Sequence, residues 1–435
     1  MKIWQKNQSE ESGDYTKLVE AFTVGKDRDF DLRMAKHDIK GSIAHATMLK
    51  KIGLLNEKEY EDIRIGLESI LDQIEEGTFS IMEGAEDIHS QVEWMLTQQI
   101  GEAGKKIHSG RSRNDQVLLD IKLFLRDELL EIKKDVEVLF NLLISLADEH
   151  KRKLLPGYTH FQLAMPSSFG LWFSAYAESL SDDMEWMHAA YRACNKNPLG
   201  SGAGYGSSFP LDRELTTALL NFETMNYNVI NAQMSRGKTE KAVAIGISAV
   251  AGTLSRLATD VCIYMNQQFG FVNFPEELTT GSSIMPHKKN PDVFELIRAK
   301  CNQIQALPNA FSLMMVNLPS GYHRDMQLTK ELLFPALEEI RSCIRMTVLM
   351  LKEIRVQDQI LEDEKYLSLF SVERVNELVL SGIPFRDAYK RVAEEFTRGE
   401  FKKPSELNHT HAGSMGNLCL DEIKENMRLQ LERFN

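Results

Sequence analysis

An all-α fold, an elongated long-helix bundle with two small helical caps, is predicted by three features of the sequence. The first is a sustained apolar period: from Leu125 the apolar positions fall at Leu129, Ile132, Val136, Leu139, Leu143 and Leu146, in steps of 4, 3, 4, 3, 4 and 3. Such a seam belongs to a long helix packed at a shallow angle on its neighbours. The second is its recurrence at Val243, Ile247, Val250, Leu254, Leu257, Val261 and Tyr264, and more loosely from Phe169 to Tyr191. The third is a shortage of breakers: 26 glycines and 12 prolines in 435 residues, below the usual ~7% and ~5%. Strand signals are sparse and no internal repeat is visible.

In chain order, an amphipathic segment runs from Asp31 to Lys51, stops at Ile52-Gly53 and restarts from Glu57 to Glu76, with Gly77 as the helix C′ residue. Glu83–Gln99 is another short helix, and residues 1–108 form an N-terminal helical cap. Residues 109–355 form the bundle. Its first helix carries the seam from Leu118 to Leu146, roughly 45 Å at 1.5 Å per residue. The two further seams follow, then a segment from Val293 to Met315 interrupted by Pro308. After Glu353 the pattern shortens. SGIPFRDAYKRVAEEF reads as a turn and a helix, and the tail ends in a charged helix, so residues 356–435 make the second small domain. Seams of this length expose apolar surface in an isolated bundle, and association of copies through the helices is expected.

Lys and Arg total 51 against 63 for Asp and Glu, a formal net charge of −12. Such a surface has no long-range attraction for nucleic acid or anionic lipid, and neither is an expected partner. An anionic small molecule would need a local cluster of cations and N–H groups. Two uncharged stretches, Leu154–Ala177 and Cys301–His323, have the length of membrane spans. Their polar content (His160, Gln162 and Pro166 in one; Asn302, Gln303 and Gln305 in the other) makes them buried segments lining something polar. The five cysteines are odd in number, widely spaced and without a CxxC. That pattern fits a reducing compartment, with no disulfide framework and no zinc site. No apolar stretch of signal-peptide length opens the chain, so a soluble cytoplasmic protein is expected.

Four polar or glycine-rich loops interrupt the helical pattern. HSGRSRNDQV places Arg111 and Arg113 beside Asn114 and Asp115 just before the first long helix. Arginines at a helix N-terminus suit a carboxylate; an N-cap with solvated arginines explains the same residues. PGYTHFQLAMPSS holds His160 after Thr159, and a lone histidine there is as easily a satisfied core residue. NPLGSGAGYGSSFPLD carries four glycines, but it follows a helix and its spacing is neither GxGxxG nor a P-loop, so a loop packed near a ligand fits better than a nucleotide site. TTGSSIMPHKKNPDVFELIRAK gathers Ser282, Lys288, Lys289 and Asn290 before Pro291 opens a helix. It suits a carboxylate-bearing substrate, or is simply a basic surface turn. Tyr322, Arg324, Gln327 and Lys330 cluster in LPSGYHRDMQLTKELLF. There is no GxSxG or HExxH, and His409-Thr410-His411 is too short for a metal site.

GSSIMPHKKNP closely resembles the signature loop of the fumarate-producing lyase superfamily, which includes fumarase, aspartase, adenylosuccinate lyase and argininosuccinate lyase. Within it, EDIHSQVEWML, KKIHSGRSRNDQV, PGYTHFQLAMP, GSGAGYG and KKNPDVFELIRAK resemble the argininosuccinate lyase family, GRSRNDQ most sharply. The resemblance covers roughly Asp31 to Leu337. It implies reversible anti elimination of argininosuccinate to arginine and fumarate without metal or organic cofactor. It implies Ser282 as base and His160 as acid, Glu295 orienting His160, and Lys288 supporting the serine alkoxide. Substrate contacts carry over to Arg113, Asn114, Thr159, Asn290, Tyr322, Gln327 and Lys330. It further implies a homotetramer whose active sites are shared between subunits. The chain departs from the family pattern at three places: Ser235-Arg236-Gly237-Lys238 replaces S-[DE]-R-D, Gln327-Leu328-Thr329-Lys330 replaces Q-E-D-K, and Asp27 stands where the family has a serine. MPHK and the chain length are more typical of adenylosuccinate lyase, the nearest alternative. A catalytically silent, crystallin-like homologue is the other.

Overall fold

The computed structural model describes residues 13–82, 85–404 and 406–434. The first twelve residues, read above for a leader, and Glu83, read as a helix start, lie outside them. The chain divides into two units. The first comprises Met1–Ile132, Trp186–Ser248 and Ile304–Glu339; the second comprises Lys133–Glu185, Ala249–Gln303 and Ile340–Asn435.

In the first unit the expected amphipathic segments form helices Asp27–Lys51, Glu57–Glu75 and Ile88–Ile100. Asn56 and Glu59 make a reciprocal capping box at the second, Oδ1 accepting from Glu59 N at 2.9 Å and Glu59 Oε2 from Asn56 N at 3.0 Å. Asp87 caps the third through Ser90 N at 2.8 Å. Their apolar faces meet in a core that includes Ile39, Leu49, Ile63, Leu67, Val92 and Leu96.

Deep in this unit His45 is completely buried; its Nε2 donates to Ser109 O at 2.9 Å and its Nδ1 has no partner. Burial, and then the Arg111 cation, lower its pKa to about 3. The unfolded ring titrates near 6.5, about three to four units higher. Because the folded value is depressed, the stability that depends on a neutral ring is intact above pH ~6.5. It is lost as pH falls towards 3, on the order of 4 kcal/mol at full extent. His45→Gln, which keeps a donor for Ser109, is therefore expected to lose less stability than the parent between pH 6.5 and 4 in urea unfolding. Equal losses would refute it.

The long helices follow the predicted seams: Arg113–Glu149, Phe169–Cys194 and Lys238–Tyr264. Leu129, Ile132, Val136, Leu139 and Leu143 are fully buried, as are Val243, Ile247, Val250 and Val261. The seams are thus satisfied inside one chain, and they do not themselves call for a partner. Lys238–Tyr264 is long and apolar enough to cross a membrane, but its most apolar window is 56% buried in the protein, as a core helix is. Pro308 acts as expected: the segment from Val293 splits into helices Asp292–Ile304 and Leu307–Met314. The C-terminal part forms Ser371–Leu380, Phe385–Thr397 and Leu420–Glu432.

One element differs from expectation. The uncharged stretch from Leu154 opens as a β-hairpin, β1 (Leu154–Thr159) and β2 (Gln162–Ser168), before its helix starts at Phe169. Pro156 and Pro166 bar a helix there and pair across the ladder. Gly157 is required by close approach: a Cβ there would lie 2.7 Å from Met165 O.

Candidate active site

The first unit contains a polar pocket of about 220 Å3. Five residues expected to bind substrate line it: Arg113, Asn114, Tyr322, Gln327 and Lys330. Arg113 comes from the first turn of its long helix. Its Nη2 donates to Ser90 Oγ at 2.7 Å, and its Nη1 lies 3.2 Å from Asp87 Oδ2 and 3.4 Å from Glu86 Oε2. Gln327 Nε2 donates to the carbonyls of Thr23 (2.9 Å) and Val24 (3.3 Å), tying the helix Gly13–Val24 to the rim.

Lys330 is only 2% exposed, and its Nζ lies 2.5 Å from Asp27 Oδ1 and 2.7 Å from Asp31 Oδ1. A buried ammonium needs such partners, and here two carboxylates face one cation. Burial raises the Asp27 pKa; Lys330 opposes this and Asp31 adds to it.

Two of the three departures from the family pattern lie at this pocket. Asp27 lines it, and so does Arg236 despite its displaced position in the sequence. Arg236 Nε donates to Glu240 Oε1 at 2.8 Å and Nη2 to Met326 O at 2.8 Å. Thr329 joins the same knot, its Oγ1 3.2 Å from Glu240 Oε1 and 3.5 Å from Arg236 Nη2.

The glycine loop is not a phosphate cradle. The Asp115 carboxylate accepts from Gly200 N and Gly202 N, each at 2.9 Å, and from Ser112 N at 2.7 Å. Donors that would hold a phosphate are committed to an internal anion. Burial nevertheless pushes Asp115 up to about 6.

The second unit carries the remaining expected residues. Thr159 and His160 sit at the end of the hairpin, where the two-residue turn His160-Phe161 has φ of 54° and 58°. Positive φ at both central residues is what a two-residue hairpin turn of type I′ requires, and it turns the His160 and Phe161 side chains out from the strands. Both side chains are exposed, Phe161 at 85%.

Ser282, Lys288 and Asn290 share one loop, closed at its base by the Thr280–Asn290 bridge. Asn290 Nδ2 helps to clasp it, 3.3 Å from Thr280 Oγ1 and 3.5 Å from Gly281 O. Ser282 Oγ accepts from Met285 N at 3.2 Å and Ile284 N at 3.4 Å. Two N–H dipoles therefore point at the hydroxyl oxygen where an alkoxide would form. The Lys288 side chain is exposed. Glu295, on the helix after the loop, lies 4.0 Å from Arg298, and no bond joins it to His160 among the described residues. Nor, among the described residues, does a hydrogen bond or ion pair link His160 to Ser282.

Asp31, Asp87 and His89, for which the motifs above imply no role, also line the pocket. A usable signal lay in EDIHSQVE, where Asp87 caps a helix whose second residue is His89.

The family described as "Lyase" matches residues 11–306. An argininosuccinate lyase of Bacteroides thetaiotaomicron is 56% identical over 434 residues, covering 100% of this chain and 96% of the relative. One from Thermotoga neapolitana is 39% identical, covering 91% of this chain and 98% of the relative. Among solved structures, a class II fumarase from Schistosoma mansoni superposes with TM-score 0.73 at 17% identity, covering 88% and 89% of the two chains, a likeness of fold.

Proposed function

The chain belongs to the argininosuccinate lyase family, and on that premise we propose that it cleaves argininosuccinate, reversibly and by anti elimination, to L-arginine and fumarate. The observation that carries this reading is the charge pattern of the first unit's pocket. Arg113, Arg236, Arg324 and Lys330 line it together with Asp27, Asp31, Glu86 and Asp87. Argininosuccinate bears three carboxylates, an ammonium and a guanidinium, so a mixed pocket of this kind matches its charges.

In the reaction a base takes the proton from the carbon beside a carboxylate. The electron pair spreads into that carboxylate as a dianion, and an acid then protonates the departing guanidino nitrogen. We assign Ser282 as the base and His160 as the acid. The two N–H bonds received by Ser282 Oγ favour its alkoxide, and Lys288 adds a cation when the loop closes on substrate. Glu295 orients His160 in the assembled enzyme. Arg113, Asn114, Thr159, Asn290, Tyr322, Gln327 and Lys330 hold the substrate. The odd number and wide spacing of the five cysteines suit a reducing cytoplasm, where we place the reaction.

Fumarate absorbance tests the reading, with argininosuccinate and adenylosuccinate offered separately. Fumarate is expected from argininosuccinate alone. Release from adenylosuccinate instead, or from neither, overturns it.

We also propose a homotetramer with active sites shared between subunits. Support comes from apolar side chains left exposed on two long helices, Val138 (54%) and Trp186 (57%), and on two shorter ones, Leu296 (59%) and Leu313 (66%). Light scattering at micromolar concentration is expected to give the mass of four 49.6 kDa chains. A monomer mass would rule this out.

A further inference from the structure

The histidine of EDIHSQVE has no part in the mechanism above, yet its surroundings are built for a purpose. His89 is 6% exposed and lines the pocket of Arg113 and Lys330. Its Nδ1 donates to Asp38 Oδ1 at 2.9 Å, with Asp120 Oδ2 at 3.6 Å behind. Both carboxylates are completely buried, and Asp38 Oδ2 and both Asp120 oxygens have no hydrogen-bond partner. Gln116 Nε2 fixes Asp38 Oδ1 from the other side at 2.6 Å. The ring is thus locked in one orientation. Its second nitrogen, Nε2, has no partner among the described residues and opens on the pocket.

We infer that His89 binds substrate as a fixed imidazolium, its Nε2–H donating to a carboxylate of the succinyl half of argininosuccinate beside Arg113. This rests on the argininosuccinate lyase reading and names a contact within it. The position beside Arg113 follows from shared partners. Arg113 Nη1 lies 3.2 Å from Asp87 Oδ2, and Nη2 bonds Ser90, the residue after His89. His89 and Arg113 thus both act on Asp87, and a substrate carboxylate entering the pocket beside it meets donors from both.

Charge supports the assignment. Burial alone would lower the pKa of His89, but the Asp38 carboxylate, then Asp87 and Asp120, raise it to about 9. The charged groups facing it are Asp38 on the Asp27–Lys51 helix, Asp87 at the cap of its own helix and Asp120 on the Arg113–Glu149 helix. The His89 charge also acts on His108, and Arg111 acts on both Asp38 and Asp120. Asp38, His89 and Asp120 also lie close enough to hold a divalent cation. The imidazolium already supplies a positive charge there, and burial, then the Asp38 charge, raises the Asp120 pKa well above the ordinary carboxylate value, so the cluster lacks the charge to hold one.

Fumarate itself is the probe, titrated calorimetrically into the whole enzyme. His89→Gln is expected to weaken fumarate about 10- to 100-fold, the range for a lost hydrogen bond to a charged group, while L-arginine inhibition stays within about twofold. Parent affinity should fall as pH rises through about 9, and the variant should lack that fall. Asp38→Asn, which keeps an acceptor but removes the charge, should move the midpoint of the fall to lower pH. A purely structural role would leave the midpoint in place. Unchanged fumarate affinity in His89→Gln overturns the inference. Should that variant fail to fold, an unmoved midpoint in Asp38→Asn overturns it equally. A parent that does not bind fumarate at all instead removes the functional premise.

Discussion

Ser282→Ala is expected to stop proton abstraction while leaving argininosuccinate binding nearly intact, because the carboxylate contacts come from other residues. Loss of such a group costs roughly 10²–10⁴-fold in turnover or more. His160→Asn is expected to fall by a similar factor for a different reason: the guanidino group must leave without its proton. The two side chains sit in separate exposed loops with no hydrogen bond or ion pair between them among the described residues, which suits a site completed by neighbouring subunits. Mixing the two inactive variants under conditions of subunit exchange should restore partial activity, since some hybrid tetramers hold a site with both groups intact. Hybrids that form and stay inactive would show that the sharing or the roles are wrong.

The largest effect on stability is expected at Lys330. Removing its ammonium strands Asp27 and Asp31, two acids gathered round one buried cation. Breaking a buried ion pair by deleting one partner costs about 3–5 kcal/mol. Lys330→Met should therefore lower the denaturant midpoint markedly and weaken substrate binding. The sign with pH is fixed by Asp27, whose folded pKa already lies above the ordinary value and rises further once Lys330 no longer holds it down. The raised value means the folded state favours the protonated acid, so the deficit is largest at neutral pH. It shrinks as pH falls through the folded pKa. Adding Asp27→Asn to Lys330→Met should recover part of the loss at neutral pH. A double variant no more stable than the single one would contradict this account.

What the sequence could disclose follows from the range of the interactions involved. The seams were legible because a 3.5-residue period forces one face of a helix inwards, whatever that face meets. What it meets was not: Leu129 to Leu143 are buried within the chain itself, where the pattern alone suggested partner chains. The hairpin at Leu154–Ser168 was hidden because its strands do not alternate, and only pairing across the turn reveals them. The pocket was half legible. Motif likeness brought Arg113, Gln327 and Lys330 forward, but neither spacing nor composition could show Asp27 and Lys330 meeting across some three hundred residues. His89 carried a visible motif, yet its two buried carboxylates come from other helices.

The knot of Arg236, Glu240 and Thr329 couples position 329 to two positions that lie far from it in the sequence. Where the family's Q-E-D-K pattern would put an acid at position 329, Thr329 shares Glu240 Oε1 with Arg236. An acid there would stand against Glu240 with a single guanidinium to serve both. The three positions are therefore epistatic: a change at 329 is tolerated or rejected according to what stands at 236 and 240. Thr329→Asp alone is therefore expected to be poorly tolerated in this chain, and to be tolerated better when position 236 or 240 changes with it.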